Sequence, residues 1–300
     1  MEEALFEHRQ LLRNRRLGFL AFLCAATLYG TFGLFIRHLS HSFTTLEQVV
    51  LRSLGSALVA VPWLLLRGDR TTLSQLRGPK VWGFGLLFPI GVSLWTLSVT
   101  VGSVRSSVFG LYLGALLSAA VLSRLFFSER LTPLKLGALA CAVCGAVVYC
   151  SPFVGLNLSV SLGAAAGIFQ ATMLCYRRIL REIDRYVVAA VQSIGSLVMS
   201  TALLLIFSHQ AVPALELHPL AIGLAYGAIV VAVSHLLLIG AKNLDLTTGN
   251  IILSTELVWS VFFAALFLGE IPNMNELLGC GILGIALVLS AYSTKEDSHG

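Results

Sequence analysis

Ten apolar runs follow one another along the 300 residues, at about 17–36, 45–66, 81–101, 107–128, 132–150, 158–177, 187–207, 218–240, 247–268 and 275–292. A helix rising 1.5 Å per residue needs about 20 apolar residues to cross about 30 Å of hydrocarbon. None of the runs alternates polar and apolar positions as a barrel strand would. In lipid, only a helix or a closed barrel satisfies its own backbone. The pattern therefore predicts an all-α polytopic membrane protein with ten transmembrane helices. Composition adds that 57% of residues are hydrophobic and only 12% charged, whereas a soluble domain carries about 25% charged residues. A water-facing globule and a disordered chain are both excluded, and the short connections leave no room for a soluble catalytic domain.

The first run follows Arg13, Arg15 and Arg16. It mimics a signal peptide, but it is too long for an h-region and lacks a small-residue cleavage site, so it is read as a retained span. With the N-terminus in the cytoplasm, the Lys and Arg residues divide about 17 to 2 between inside and outside, as the positive-inside rule requires. The inside set is Arg9, Arg13, Arg15, Arg16, Arg67, Arg70, Arg77, Lys80, Arg124, Arg130, Lys135, Arg177, Arg178, Arg181, Arg185, Lys242 and Lys295; the outside set is Arg37 and Arg105. Arg52 is left inside a span. This predicts a multi-pass protein of a cell membrane with both termini cytoplasmic. The net charge of +5 is topological: it sits in short clusters between spans, not along one face, which excludes nucleic acid as a partner. The cysteines, Cys141-x-x-Cys144 among them, read as small packing residues in apolar runs, with no disulfide framework and no metal site.

The chain repeats weakly at an offset near 141. Phe126-Phe127-Ser128-Glu129, followed by Leu136-Gly137, returns as Phe267-Leu268-Gly269-Glu270, followed by Leu278-Gly279. Arg52-Ser53 parallels Gln192-Ser193, and Tyr29 parallels Gln170. The organisation is then a cytoplasmic segment 1–16, a first five-helix repeat 17–150, a second repeat 158–292 and a cytoplasmic tail 293–300. Because five is odd, the second repeat enters the membrane in the opposite direction. Inverted repeats are typical of secondary transporters, in which two alike halves open a central site to each side in turn.

At these residues the sequence resembles the drug/metabolite transporter superfamily, specifically its EamA-like ten-helix members. The resemblance rests on the two span endings at Phe126–Glu129 and Phe267–Glu270, on the glycines that follow, and on Arg52. It implies a membrane transporter, an exporter or exchanger of small metabolites such as amino acids or drug-like solutes. The ninth span of such proteins often reads Glu-Pro-Val; here it reads Glu256-Leu257-Val258. The fourth span has Leu117-Ser118 near the place of another proline. Bending must arise elsewhere, with Gly110 and Gly114 as candidates.

An ionised group in hydrocarbon costs several kcal/mol, which makes Arg52 and Glu256 the most informative residues. Arg52 lies about 10 Å deep from one side and Glu256 about 13–14 Å from the other. Their levels differ by about 6 Å, a gap a long Arg side chain could span if both faced one cavity. Thr45, Gln48, Arg52 and Ser56 form one polar stripe, echoed by Gln192, Ser196 and Ser200, as a pathway or as polar contacts between helices. Glu256 shares a face with Trp259 and Ser260, a combination suited to a cationic or aromatic substrate. The candidate substrate-binding residues are Tyr29, Arg52, Trp95, Gln170, Gln192, Asn250, Glu256 and Trp259, with Tyr112 and His235 beside them. Lys242 and Asp245 read as solvated turn residues, and Glu129 and Glu270 as interfacial carboxylates near the next helix N-terminus.

Alternating access around a central cavity follows as the leading function. A non-transporting receptor or scaffold on the same fold is the second reading. An intramembrane enzyme is a third, against which the chain lacks His-Glu-x-x-His, Gly-x-Ser-Gly, paired intramembrane aspartates and a phosphate loop. The expected partners are a small-molecule substrate, membrane lipid, and a proton or counter-substrate. No cofactor is expected, and no oligomeric state is assigned.

Overall fold

The structure, a computed structural model, describes residues 2–102, 104–129, 131–151, 157–207 and 216–296. Arg130 of the charge assignment and residues 297–300 of the tail lie outside the described residues, as do the side chains of Arg9, Arg105 and Lys295. The helices are α1 (Glu2–Gly30), α2 (Phe32–Leu39), α3 (Thr45–Arg67), α4 (Arg70–Ser74), α5 (Pro79–Val101), α6 (Val104–Phe127), α7 (Pro133–Tyr149), α8 (Leu158–Ile179), α9 (Arg185–Phe207), α10 (Leu217–Asn243), α11 (Leu246–Leu253), α12 (Glu256–Leu268) and α13 (Met274–Glu296). Among the described residues nine helical segments are long and apolar enough to cross a membrane, with α1–α2 and α11–α12 each counting as one span. The tenth predicted span is α7, whose 17 residues give about 25 Å at 1.5 Å per residue. Its exterior is apolar: Leu65, Leu66, Leu125, Leu205, Phe207 and Phe267 are exposed, as a lipid-solvated surface requires.

The chain is an all-α multi-pass membrane protein built as two inverted five-helix units, and the contacts between units carry the two-fold relation. The second helix of each unit packs on the third of the other: α3 on α10, and α9 on α5. The fourth packs on the first of the other: α6 on α8, and α12 on α1. Equivalent helices meet one another as α3 with α9 and α7 with α13. Exchanging the units maps this pattern onto itself, the property of a two-fold, isologous arrangement.

Small residues set how closely the units approach. Where α6 crosses α8, a Cβ on Gly114 would lie 2.2 Å from the Ala164 carbonyl oxygen, and one on Gly167 would lie 2.1 Å from that of Leu111. Both obstacles are backbone, which cannot rotate away. The small-xxx-small spacings Gly110-x-x-x-Gly114 and Gly163-x-x-x-Gly167 are thus a packing device. Gly110 and Gly114 do not break α6, which runs from Val104 to Phe127. Gly114→Ala should cost about 1–3 kcal/mol, the usual penalty for overpacking. A lower melting temperature of the purified protein in detergent checks this; an unchanged one would mean that α6 and α8 do not meet this closely.

One loop detail differs from expectation. Asp245 is not a solvated turn residue: it accepts from the Thr248 backbone N–H at 2.7 Å, capping α11, and pairs with Lys135 at 3.4 Å. An orphan N–H at the helix start and a nearby cation draw it in. Asn157 caps α8 in the same way, through Val160 N–H at 2.9 Å. Cys24, Cys141, Cys144, Cys175 and Cys280 are free thiols.

Candidate functional site

Two of the spans are broken midway. Between α1 and α2 the hydroxyl of Thr31 donates to the Leu28 carbonyl at 2.7 Å. Between α11 and α12 the hydroxyls of Ser254 and Thr255 donate to Ile251 and Ile252, each at 2.7 Å. There the backbone shortens to three-residue spacing, as Leu257 N–H meets Ser254 and Val258 N–H meets Thr255. Hydroxyls that bond back into the preceding turn bend helices, so the ninth span breaks without a proline. Glu256 is the first residue of α12, where the positive end of a helix favours a carboxylate.

The break opens onto a central cavity of about 1010 Å³. Among the predicted site residues, Tyr29, Arg52, Trp95, Gln170, Gln192 and Glu256 line it. Asn250 and Trp259 do not. Asn250 is buried in α11, its amide donating to Leu246 at 3.1 Å, with its carbonyl oxygen unpartnered. Trp259 packs against Gly30, where a Cβ would lie 2.6 Å from its own, and stacks towards Phe263 at 6.2 Å. Of the two supplementary candidates, Tyr112 reaches Glu256, while His235 bonds back to Val231 at 2.9 Å and stacks on Trp63 at 5.0 Å, away from the lining.

Arg52 and Glu256 face the same cavity but form no ion pair; each is held by a tyrosine instead. Arg52 Nη1 donates to the Tyr226 hydroxyl at 3.1 Å and its guanidinium lies 5.3 Å from that ring's centre. Tyr226 is itself fixed by Phe35, stacked at 5.1 Å, and Phe32, edge-on at 4.8 Å. Glu256 accepts from the Tyr112 hydroxyl, which also lies 3.4 Å from the Leu253 carbonyl oxygen.

The residue that sequence reasoning misplaced is Arg177. Counted among the cytoplasmic charges, it is instead 4% exposed and lines the cavity. Its Nη2 donates to Gln192 Oε1 at 2.9 Å, and that oxygen also accepts from Ser234 at 2.8 Å. Its guanidinium lies 5.1 Å from the centre of Phe84 and 5.6 Å from that of Phe88. A signal was available: Gln170, Leu174 and Arg177 stand at i, i+4 and i+7, one helical face, and all three line the cavity. Tyr29 lies within electrostatic range of Arg177, Glu256, Tyr226 and Arg52 together.

The cavity reaches the face where α2 ends and α13 begins, lined there by Arg37, Ser40 and Glu270. It stops short of the face where α6 ends. Each face carries an ion pair between units: Arg37 with Glu270, and Arg178 with Glu129. Arg37 and Arg178 stand 141 residues apart, and so do Glu129 and Glu270. The two carboxylates are therefore bridge partners, not merely interfacial groups. The pair at the open face is exposed, with side chains 59% and 48% accessible; the pair at the closed face is at 24% and 10%.

The sequence profile of the EamA-like transporter family matches residues 16–150 and 157–292. The chain belongs to the EamA-like transporter family. The two matched segments also separate the two units of this EamA-like protein. It is 32% identical over 59 residues to Protein CLT3, chloroplastic, of Arabidopsis thaliana, a match spanning 20% of this chain and 13% of that protein. A protein known from a crystal structure superposes with a TM-score of 0.76 at 20% identity, over 93% of this chain and 99% of the other; this is a likeness of fold.

Proposed function

We propose that the protein carries small organic metabolites, such as amino acids or drug-like solutes, across a cell membrane by alternating access, as an exporter or exchanger. Both termini face the cytoplasm in this reading, as the distribution of Lys and Arg suggests. The observation that carries it is the pair of repeat-related ion bridges, Arg178–Glu129 at the closed face and Arg37–Glu270 at the open one. Two units related by inversion can exchange conformations. In the exchanged state the Arg37–Glu270 bridge would seal its face and the Arg178–Glu129 bridge would lie exposed at the other. The moving bodies are the repeats 17–150 and 158–292. A counter-substrate or a proton supplies the driving force, with Glu256 as the proton's candidate carrier.

Counterflow in proteoliposomes tests this. Vesicles loaded with an unlabelled solute should accumulate the labelled form only when the protein is present. Saturable binding with no flux for every solute that binds would replace transport by the receptor reading.

A further inference from the structure

On the cavity's inner wall the charges do not balance: Arg52 and Arg177 stand against Glu256, while Arg37 sits with Glu270 and Glu276 at the mouth. Arg177 is 4% exposed, yet among the described residues no carboxylate pairs with it. Of the five N–H donors of a guanidinium, one is used, towards the neutral Gln192, and Nε has no acceptor. Among the described residues Arg52 reaches only the neutral Tyr226. Both line the same cavity, whose inner wall carries one acid, Glu256; Glu270 and Glu276 stand at the mouth. A buried cation with no counter-ion is strongly destabilising, and the two aromatic rings over Arg177 recover only part of that cost.

We propose that the cavity takes a small organic molecule of net negative charge, with carboxylates received by Arg52 and Arg177 and any ammonium group received by Glu256. Planar guanidinium forks match carboxylates in pairs. Two arginines against one glutamate select a molecule with one more acidic group than basic. Tyr29, which lines the same cavity, offers its hydroxyl to such a molecule. A cavity of about 1010 Å³ holds a metabolite of that kind with water to spare. This replaces the cationic or aromatic preference read from the sequence, because Arg177 enters the cavity and Trp259 leaves its lining. It rests on the transport reading above for its flux measurement, but not for its binding measurement.

The test uses the full chain in proteoliposomes and in detergent, with four probes: L-glutamate, succinate, L-glutamine and L-lysine. L-Glutamate and succinate should exchange at least about tenfold faster than the other two, and Arg177→Gln should remove that preference, a decade being the loss of about 1.4 kcal/mol. Both acids should also raise the melting temperature of the unmodified protein, as any ligand of the native state does. If Arg177→Gln does not give monodisperse protein, the ranking of probes by the unmodified chain and by Arg52→Gln carries the test. Exchange of L-glutamine or L-lysine in preference to the acids overturns the proposal and leaves transport standing. Stabilisation by the acids alone, with no flux of any probe, supports the anion site and removes transport. If the acids give neither flux nor stabilisation, the anion site is overturned.

Discussion

Glu129→Gln should drive the protein out of the conformation in which the cavity opens beside Arg37, whereas Glu270→Gln should scarcely disturb it. The two bridges have the same chemistry and occupy equivalent places in the repeat, so the difference lies in burial. An ion pair as exposed as Arg37–Glu270 contributes about 0–1 kcal/mol, because water and salt screen it. Arg178–Glu129 is mostly withdrawn from solvent. Arg178 also lies 4.3 Å from the centre of the Phe127 ring, and Glu129 lies 3.4 Å from the backbone N–H that starts α11. Removing one partner of such a pair strands the other, at about 3–5 kcal/mol when burial is complete; for this partly open pair about 2–3 kcal/mol is reasonable. At about 1.4 kcal/mol per decade that shifts the balance of conformers by at least about thirtyfold. A cysteine placed at Ser196, inside the cavity, in an otherwise cysteine-free chain reports it. An impermeant thiol reagent should label it from the Arg37 face in the parent and from the Arg178 face in Glu129→Gln, and the exchange Glu129→Arg with Arg178→Glu should restore the parent pattern. Equal labelling changes in Glu129→Gln and Glu270→Gln would refute the idea that burial decides which bridge holds the gate.

The spans were legible because hydrocarbon imposes one demand on every stretch of backbone and about 20 apolar residues meet it. The inverted relation was legible from Phe126–Glu129 and Phe267–Glu270, since an odd number of helices between like segments leaves no other orientation. The helix breaks were not legible. Thr31, Ser254 and Thr255 sit at the breaks and bond to the carbonyl three residues back, but Ser123, Ser260 and Ser293 make the same type of bond within continuous helices. Hydroxyl residues permit a break without deciding it.

Arg52 and Glu256 show a second boundary. Rise per residue gave their depths, and both do reach one cavity, but depth along the membrane normal carries no information about rotation around the helix axis. Tyr226 and Tyr112, from helices far away in sequence, bond to Arg52 and Glu256 instead. Arg177 was lost for a different reason. Charge counting assigns a basic residue by its position near a span's end, and Arg177 and Arg178 are neighbours there. Successive helical residues point about 100° apart, so one joins the surface bridge to Glu129 while the other turns inward to Gln192.

Glu256→Gln should lower flux by at least about tenfold, the loss expected when a desolvated, hydrogen-bonded charge is removed from its partner. The direction follows from where the residue sits. Glu256 opens α12 immediately after the Ser254–Thr255 break, on the cavity wall, with Tyr112 as its one hydrogen-bond donor among the described residues. Glutamine has the same shape, can still accept from Tyr112, and never ionises. The variant therefore separates two tasks that the carboxylate could perform. If Glu256 carries the driving proton, Glu256→Gln is a permanent mimic of the protonated state: uptake driven by a pH gradient stops, while exchange of internal for external solute continues. If it instead holds a substrate ammonium, exchange of L-glutamate falls as steeply as driven uptake, and exchange of succinate, which has no ammonium, survives. Tyr112→Phe should produce a smaller version of the same pattern, because it removes a donor and leaves the charge. Melting temperature and gel-filtration profile matching the parent establish that the fold is retained. Flux of both solutes equal to the parent's, with and without a pH gradient, would remove Glu256 from the mechanism.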